Sequence, residues 1–233
     1  TLGMMTEDQA RRLADAGLYA YNHNLDTSED HYKEIISTRD FDDRKKTIAN
    51  ASKAGISVCS GGIIGMGETA EDRCDMLVTL VNLSPQPKSV PINALVPVEG
   101  TPLADQQLVS IWEMVRMVAT TRLVMPEAVV RLSAGRTQMS DEGQALCFMA
   151  GASSIFAGDK LLTTPNPDIN NDMKLFDILG ISTKAPFVDG EQPTTKESYK
   201  ECMSTKGNIK WDRPGHTIER NEMAKQKAKD LKA

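Results

Sequence analysis

Strand-like and helix-like segments alternate along this chain, and that alternation limits its possible folds more than any single motif does. Thr6-Glu7-Asp8-Gln9 is a capping box, with a helix to about Ala16 stopped by Gly17. Leu18 to Asn22 reads as a short strand. A helix from about Asp40 to Lys53 ends at Gly55, and Ile56-Ser57-Val58-Cys59 is the next strand. Thr69-Ala70-Glu71-Asp72 opens a third helix that ends before Pro85. Ser89 to Val96 is a strand, a helix covers about Val109 to Val124, and Ala128 to Leu132 is a strand. Ser140 caps a helix to about Ala150, Ser153 to Phe156 is a short strand, and a last helix covers about Ile169 to Leu179.

Strands interleaved with helices imply a parallel sheet covered by helices. The polar residues follow the strands, as they do at the C-terminal face of a β/α barrel, where active sites form. Five strands are too few to close an eight-stranded barrel, and an open doubly wound sheet is the alternative. From about Ser182 the composition turns to Pro, Lys, Glu and Thr. The expected organisation is therefore an α/β portion at 1–181 and a polar, partly disordered tail at 182–233. The basic run Lys225 to Lys232 reads as a solvated helix face.

A net charge of -5 argues against a nucleic-acid partner. No apolar run approaches the roughly 18 residues that cross a bilayer. The four cysteines, Cys59, Cys74, Cys147 and Cys202, show no C-x-x-C spacing, which favours a reducing compartment and cytoplasmic placement. Cys74 and Cys147 lie in helical patterns and are expected to be buried.

The first strand ends in Tyr21-Asn22-His23-Asn24-Leu25-Asp26-Thr27. Asn22, Asn24 and Asp26 recur every second residue, so extended chain points them to one side. Buried amides and carboxylates are costly unless paired, so this row reads as a ligand-facing surface. His23 alternates away from it. Gly61-Gly62-Ile63-Ile64-Gly65-Met66-Gly67-Glu68-Thr69 then leads into a helix. Its glycines do not fit G-x-G-x-x-G, so it is a ligand-approach loop or a tight turn. Cys59, just before it, is a metal ligand, a nucleophile or a buried apolar side chain. Asn93 needs amide partners in an apolar strand. Arg131 interrupts another such strand, where a buried ion pair is the first expectation.

Taken together, these segments resemble the biotin synthase family of the radical S-adenosylmethionine superfamily. The residues that carry the resemblance are Tyr21 to Thr27, Val58 to Thr69, Val90-Pro91-Ile92-Asn93, Gly100-Thr101-Pro102-Leu103-Ala104 and Val130 to Arg136. Cys147-Phe148-Met149-Ala150-Gly151-Ala152 and Leu161 to Pro167 complete the set, in order, over about 1–181. The resemblance implies a TIM-type (β/α)8 barrel, of which the five strands here are the fourth through eighth. It implies a sulfurtransferase that inserts sulfur into dethiobiotin to form biotin. A [4Fe-4S] cluster cleaves S-adenosylmethionine, the 5′-deoxyadenosyl radical takes hydrogen from the substrate, and a [2Fe-2S] cluster gives up sulfur.

By position, the resemblance makes Cys59 and Arg131 ligands of the [2Fe-2S] cluster. It assigns Asn24, Asp26, Gly61, Ile63, Gly65, Glu68 and Leu95 to S-adenosylmethionine, and Asn24 and Asn93 to dethiobiotin. It further implies an electron donor such as flavodoxin and a homodimer. The family's C-x-x-x-C-x-x-C triplet and its two other [2Fe-2S] cysteines are absent, so a fragment inactive by itself is the first expectation. The alternatives are a related radical S-adenosylmethionine enzyme or a non-catalytic binding protein.

Overall fold

The computed structural model describes residues 2–158, 160–161, 164–184, 211–213 and 216–218. The expected basic helix at Lys225 to Lys232 lies outside them. The chain forms two compact units, Thr1–Leu175 and Phe176–Ala233. In the second, β9 (Trp211–Arg213) pairs antiparallel with β10 (His216–Ile218), a strand pair within the segment expected to be a tail.

The first unit opens with α1 (Glu7–Asp15), capped reciprocally by Thr6 and Gln9. β1 (Ala20–Asn22), α2 (Glu29–Ile35), α3 (Phe41–Lys53), β2 (Ser57–Cys59), β3 (Gly62–Ile64), α4 (Ala70–Asn82), β4 (Ser89–Ala94) and α5 (Ile111–Val124) follow. Then come β5 (Val129–Leu132), a 3-10 turn at Arg136–Gln138, α6 (Asp141–Ala150) and β6 (Ser154–Ile155). A minute antiparallel pair, β7 (Lys160–Leu161) and β8 (Thr164–Pro165), precedes α7 (Ile169–Leu179). The main sheet is parallel throughout, in the order β1-β2-β4-β5-β6, with β3 also on β4. This is a partial barrel.

Two elements depart from the sequence reading. α2 has seven residues and no apolar stripe to announce it; Ser28 caps it by accepting from the His31 N–H. The loop expected after Cys59 contains β3, because the strand breaks and then resumes. The break lies opposite Pro91, which has no N–H to give the ladder. A Cβ on Gly61 would sit 2.0 Å from the Pro91 carbonyl oxygen, so only glycine allows the strands to meet there.

Alternation sorts the side chains. Tyr21, Val58, Val90, Ile92, Val130 and Leu132 are buried beneath the helices. Burial of each such aliphatic side chain contributes roughly 1.5–3 kcal/mol. On α4 the stripe Met76, Leu77 and Leu80 faces the core. Cys74 lies off that stripe and is exposed, contrary to the sequence expectation, whereas Cys147 is fully buried in α6.

Candidate active site

Register places the polar residues on the other, concave face. Asn22 pairs with Cys59, Cys59 with Ser89, and Pro91 with Arg131. Ile63 pairs with Asn93, and Arg131 with Ser154. Paired residues in parallel strands point the same way, and steps of two preserve the side. Asn22, Cys59, Ser89, Ile63, Asn93, Arg131 and Ser154 therefore share one face. Beyond β1 the chain stays beside the second strand: the Leu25 and Asp26 N–H groups donate to the Gly61 carbonyl, and the Ile63 N–H donates to Asp26.

The amides are held firmly. Asn24 Oδ1 accepts from the Gly61 N–H at 3.3 Å and from Asn22 Nδ2 at 3.2 Å. Asn93 Nδ2 donates to the Gly62 carbonyl at 2.9 Å, and its Oδ1 accepts from the Ala134 N–H at 3.1 Å. Gly135 makes that turn, with φ +88°, and a Cβ there would lie 2.7 Å from the Ala94 Cβ. Arg131 donates from Nε to Ser154 Oγ at 3.3 Å and has no ion pair among the described residues, which corrects the buried-ion-pair expectation. Ser89 Oγ, across from Cys59, is buried without a partner.

Asp26 adopts φ +74°, rare for a residue with a side chain. Its carboxylate meets Arg44 at 2.7 Å, and Arg44 also donates to the Tyr32 hydroxyl and the Asn24 carbonyl. Burial pushes the Asp26 carboxyl up, against the pull of Arg44 and Arg39. Arg44 is the site residue that sequence reasoning missed: it stands in the charged run Phe41-Asp42-Asp43-Arg44-Lys45-Lys46, where nothing distinguishes it from a solvated face.

In the loop after β3, Glu68 turns inward. Its carboxylate accepts from the Gly65 and Met66 N–H groups at 2.8 and 2.7 Å and from Arg73 at 2.8 Å, and Arg73 also pairs with Glu113. Gly65 has φ +96°, and a Cβ there would strike Val109. Ile63 and Leu95 are half-buried, with the Leu95 N–H bonded to Ile64. A cavity of about 440 Å³ lined by Leu2, Met5, Leu13 and Tyr21 lies on the opposite, helix side and brings none of these polar groups together.

His23 points away from the row, stacks on Tyr21 and is 3% exposed with Nε2 unpartnered. Burial, then Arg44 and Arg39, push its pKa down to about 4. In the unfolded chain it titrates near 6.5, so between those values only the unfolded state takes the proton. Stability should therefore fall as pH drops from about 6.5 to 4, by on the order of 2–3 kcal/mol. Asp26, with its raised value, acts in the opposite sense just above the ordinary carboxylate range. Urea unfolding across this window tests the sign, and a His23→Gln variant should flatten the slope.

A partial β/α barrel with this polar concave face and this glycine loop is the framework of the radical S-adenosylmethionine enzymes. Residues 1–80 match the Radical SAM superfamily model, and residues 91–182 match the Biotin and Thiamin Synthesis associated domain. The fold is similar to that of methylornithine synthase (PylB), with a TM-score of 0.62, 20% identity, and coverage of 78% of this chain and 57% of that one. HydG, a maturase of the [FeFe]-hydrogenase, gives a TM-score of 0.67 at 19% identity, covering 77% and 43%. Biotin synthase of Flavobacterium johnsoniae is 66% identical over 230 residues, 98% of this chain and 63% of the relative. Mitochondrial biotin synthase of Arabidopsis thaliana is 59% identical over 205 residues, 88% and 54%. The chain belongs to the biotin synthase family, and it spans less than two thirds of the length of these relatives.

Proposed function

We propose that this chain is the substrate-reading and sulfur-donor side of a biotin synthase, an enzyme that inserts sulfur into dethiobiotin. The observation that carries the reading is the shared face of Cys59, Asn93 and Arg131, next to the Asn24–Asp26 row. Among the described residues, no group of three His, Cys, Asp or Glu side chains could hold a metal. The residues present nevertheless fit part of a [2Fe-2S] ligand set: a thiol, a guanidinium without an ion pair, and the unpartnered Ser89 hydroxyl. The clusters, when bound, supply the electron for S-adenosylmethionine cleavage and the sulfur atom. The sequence contains no C-x-x-x-C-x-x-C triplet for a [4Fe-4S] cluster.

The chain's own residues bind and orient. Asn24 and Asp26 hold S-adenosylmethionine, with Asp26 fixed by Arg44. Ile63 and Leu95 offer apolar surface to its adenine, while Gly61 and Gly65 shape the backbone beneath. Glu68 contributes by tying down the Gly65–Met66 turn. Asn24 and Asn93 read dethiobiotin, and each retains amide capacity beyond the backbone bonds that align it. We further assign the 1–181 barrel portion, an electron donor such as flavodoxin, homodimer formation and cytoplasmic placement. Among the described residues, no helix is long and apolar enough to cross a membrane.

The test is a chimera in which this stretch replaces its counterpart in the F. johnsoniae protein, reconstituted anaerobically with iron and sulfide. It should form biotin from dethiobiotin. Loaded clusters without biotin would overturn the reading. Asn24→Ala or Asp26→Ala should weaken S-adenosylmethionine binding in the chimera by about 10-fold or more, since each removes a hydrogen bond worth roughly 1.5–3 kcal/mol when a charge is involved. Equilibrium binding measurements check this, and unchanged affinity would remove both residues from the site.

A further inference from the structure

Asn22 has no role in the site as assigned, yet its amide is the group nearest the Cys59 thiol. Nδ2 lies 3.3 Å from Cys59 Sγ, 3.4 Å from the Cys59 carbonyl and 3.2 Å from Asn24 Oδ1. The orientation of the amide is fixed by its neighbours. A carbonyl only accepts, and Asn24 Oδ1 is itself fixed as an acceptor by the Gly61 N–H. The nitrogen must therefore face all three, and one of its hydrogens reaches the sulfur. Asn22 is also held by its backbone, since it pairs with Cys59 in the β1–β2 ladder.

We infer that Asn22 is a positioning residue that donates an N–H···S hydrogen bond to Cys59 and thereby sets the reduction potential of the [2Fe-2S] cluster; this rests on the reading of Cys59 as a ligand. Hydrogen bonds to ligating sulfurs are among the protein's means of tuning such clusters. Reduction adds negative charge to the iron–sulfur unit. A donor at the thiolate stabilises the reduced form more than the oxidised one, so its presence raises the potential. The same bond holds the thiolate in one rotamer toward the concave face. Asn22 thus acts on the sulfur-donor cluster, and Asn24, two residues on, faces the small-molecule ligands.

The experiment uses the reconstituted chimera. Asn22→Ala should lower the equilibrium constant for one-electron reduction of the [2Fe-2S] cluster about tenfold, which is about 59 mV in a spectroscopic redox titration. Asn22→Asp, of the same size, should lower it further by placing a carboxylate against the sulfur. A change below twofold in both, with cluster content intact, would overturn the inference. If the variants lose the cluster, pulsed EPR of the reduced wild-type chimera carrying ¹⁵N-asparagine decides. A nitrogen coupling to the cluster is the expected result, and its absence refutes the hydrogen bond. Cys59→Ser distinguishes failure of the hydrogen bond from failure of Cys59 as a ligand. Unchanged [2Fe-2S] content and spectrum in that variant would sink the ligand reading itself, whatever Asn22 does.

Discussion

Cys59→Ala in the chimera should abolish measurable biotin formation, a loss of more than about 100-fold, and should remove the [2Fe-2S] absorbance while leaving the [4Fe-4S] signal. Altering residues that merely support a metal ligand commonly costs 10–100-fold, and removing a ligand costs more. The prediction singles out one thiol of the three described. Cys147 is buried on the helix side, and burial pushes its thiol up to about 11, which disfavours the thiolate that iron requires. Cys74 sits exposed on α4, away from the concave face. Cys59 alone among them shares that face with Arg131. Cys74→Ala should therefore leave both cluster content and turnover unchanged. Absorption spectra and a biotin assay on the two variants decide the matter, and an active Cys59→Ala enzyme would end the sulfur-donor reading.

The sequence made the parallel sheet and the identity of this face legible for one physical reason: strand alternation is a period-two signal that survives without tertiary context. It puts Asn22, Asn24 and Asp26 on one side and His23 outside; His23 does point away, but the strand ends at Asn22, and Asp26, at φ +74° and bridged to Gly62 rather than in step with Cys59 and Ile63, leaves the period-two alternation. It failed where the deciding contact is distant in sequence. The resumption of the strand at Gly62 depends on Pro91, and no local pattern couples the two. Arg44 meets Asp26 across 18 residues, from a helix whose charge run hides it. Arg131 looked like half of an ion pair because a lone arginine in an apolar strand requires compensation. The register instead gives it Ser154 on β6, on a face left open by a partial barrel. Cys74 was misplaced because a helix of mixed composition does not declare which stripe faces inward.

Breaking the buried Arg136–Asp172 pair should have the largest effect on stability. Both side chains are almost wholly buried, with Arg136 at 0% and Asp172 at 3% exposure. Arg136 is bidentate to Asp172 and also donates to Gln144 Oε1 at 3.0 Å and to the Phe156 carbonyl at 3.2 Å. Each of its three nitrogens thus has a partner, and the guanidinium is fully buried. Asp172→Ala leaves that charge without its counter-ion, a change worth roughly 3–5 kcal/mol. The thermal midpoint should fall by about 10 °C. The loss should reach the site as well, because Arg136 anchors the turn whose Ala134 N–H aligns Asn93. With Asn93 reading dethiobiotin as proposed, the chimera carrying Asp172→Ala is expected to bind dethiobiotin more weakly even at temperatures where the protein stays folded. Pairing Asp172→Leu with Arg136→Met removes both charges and should recover most of the stability, since the desolvation cost disappears with the attraction. Thermal unfolding of the two single variants and the double variant measures the coupling. Additive losses would show that the pair does not act as a unit.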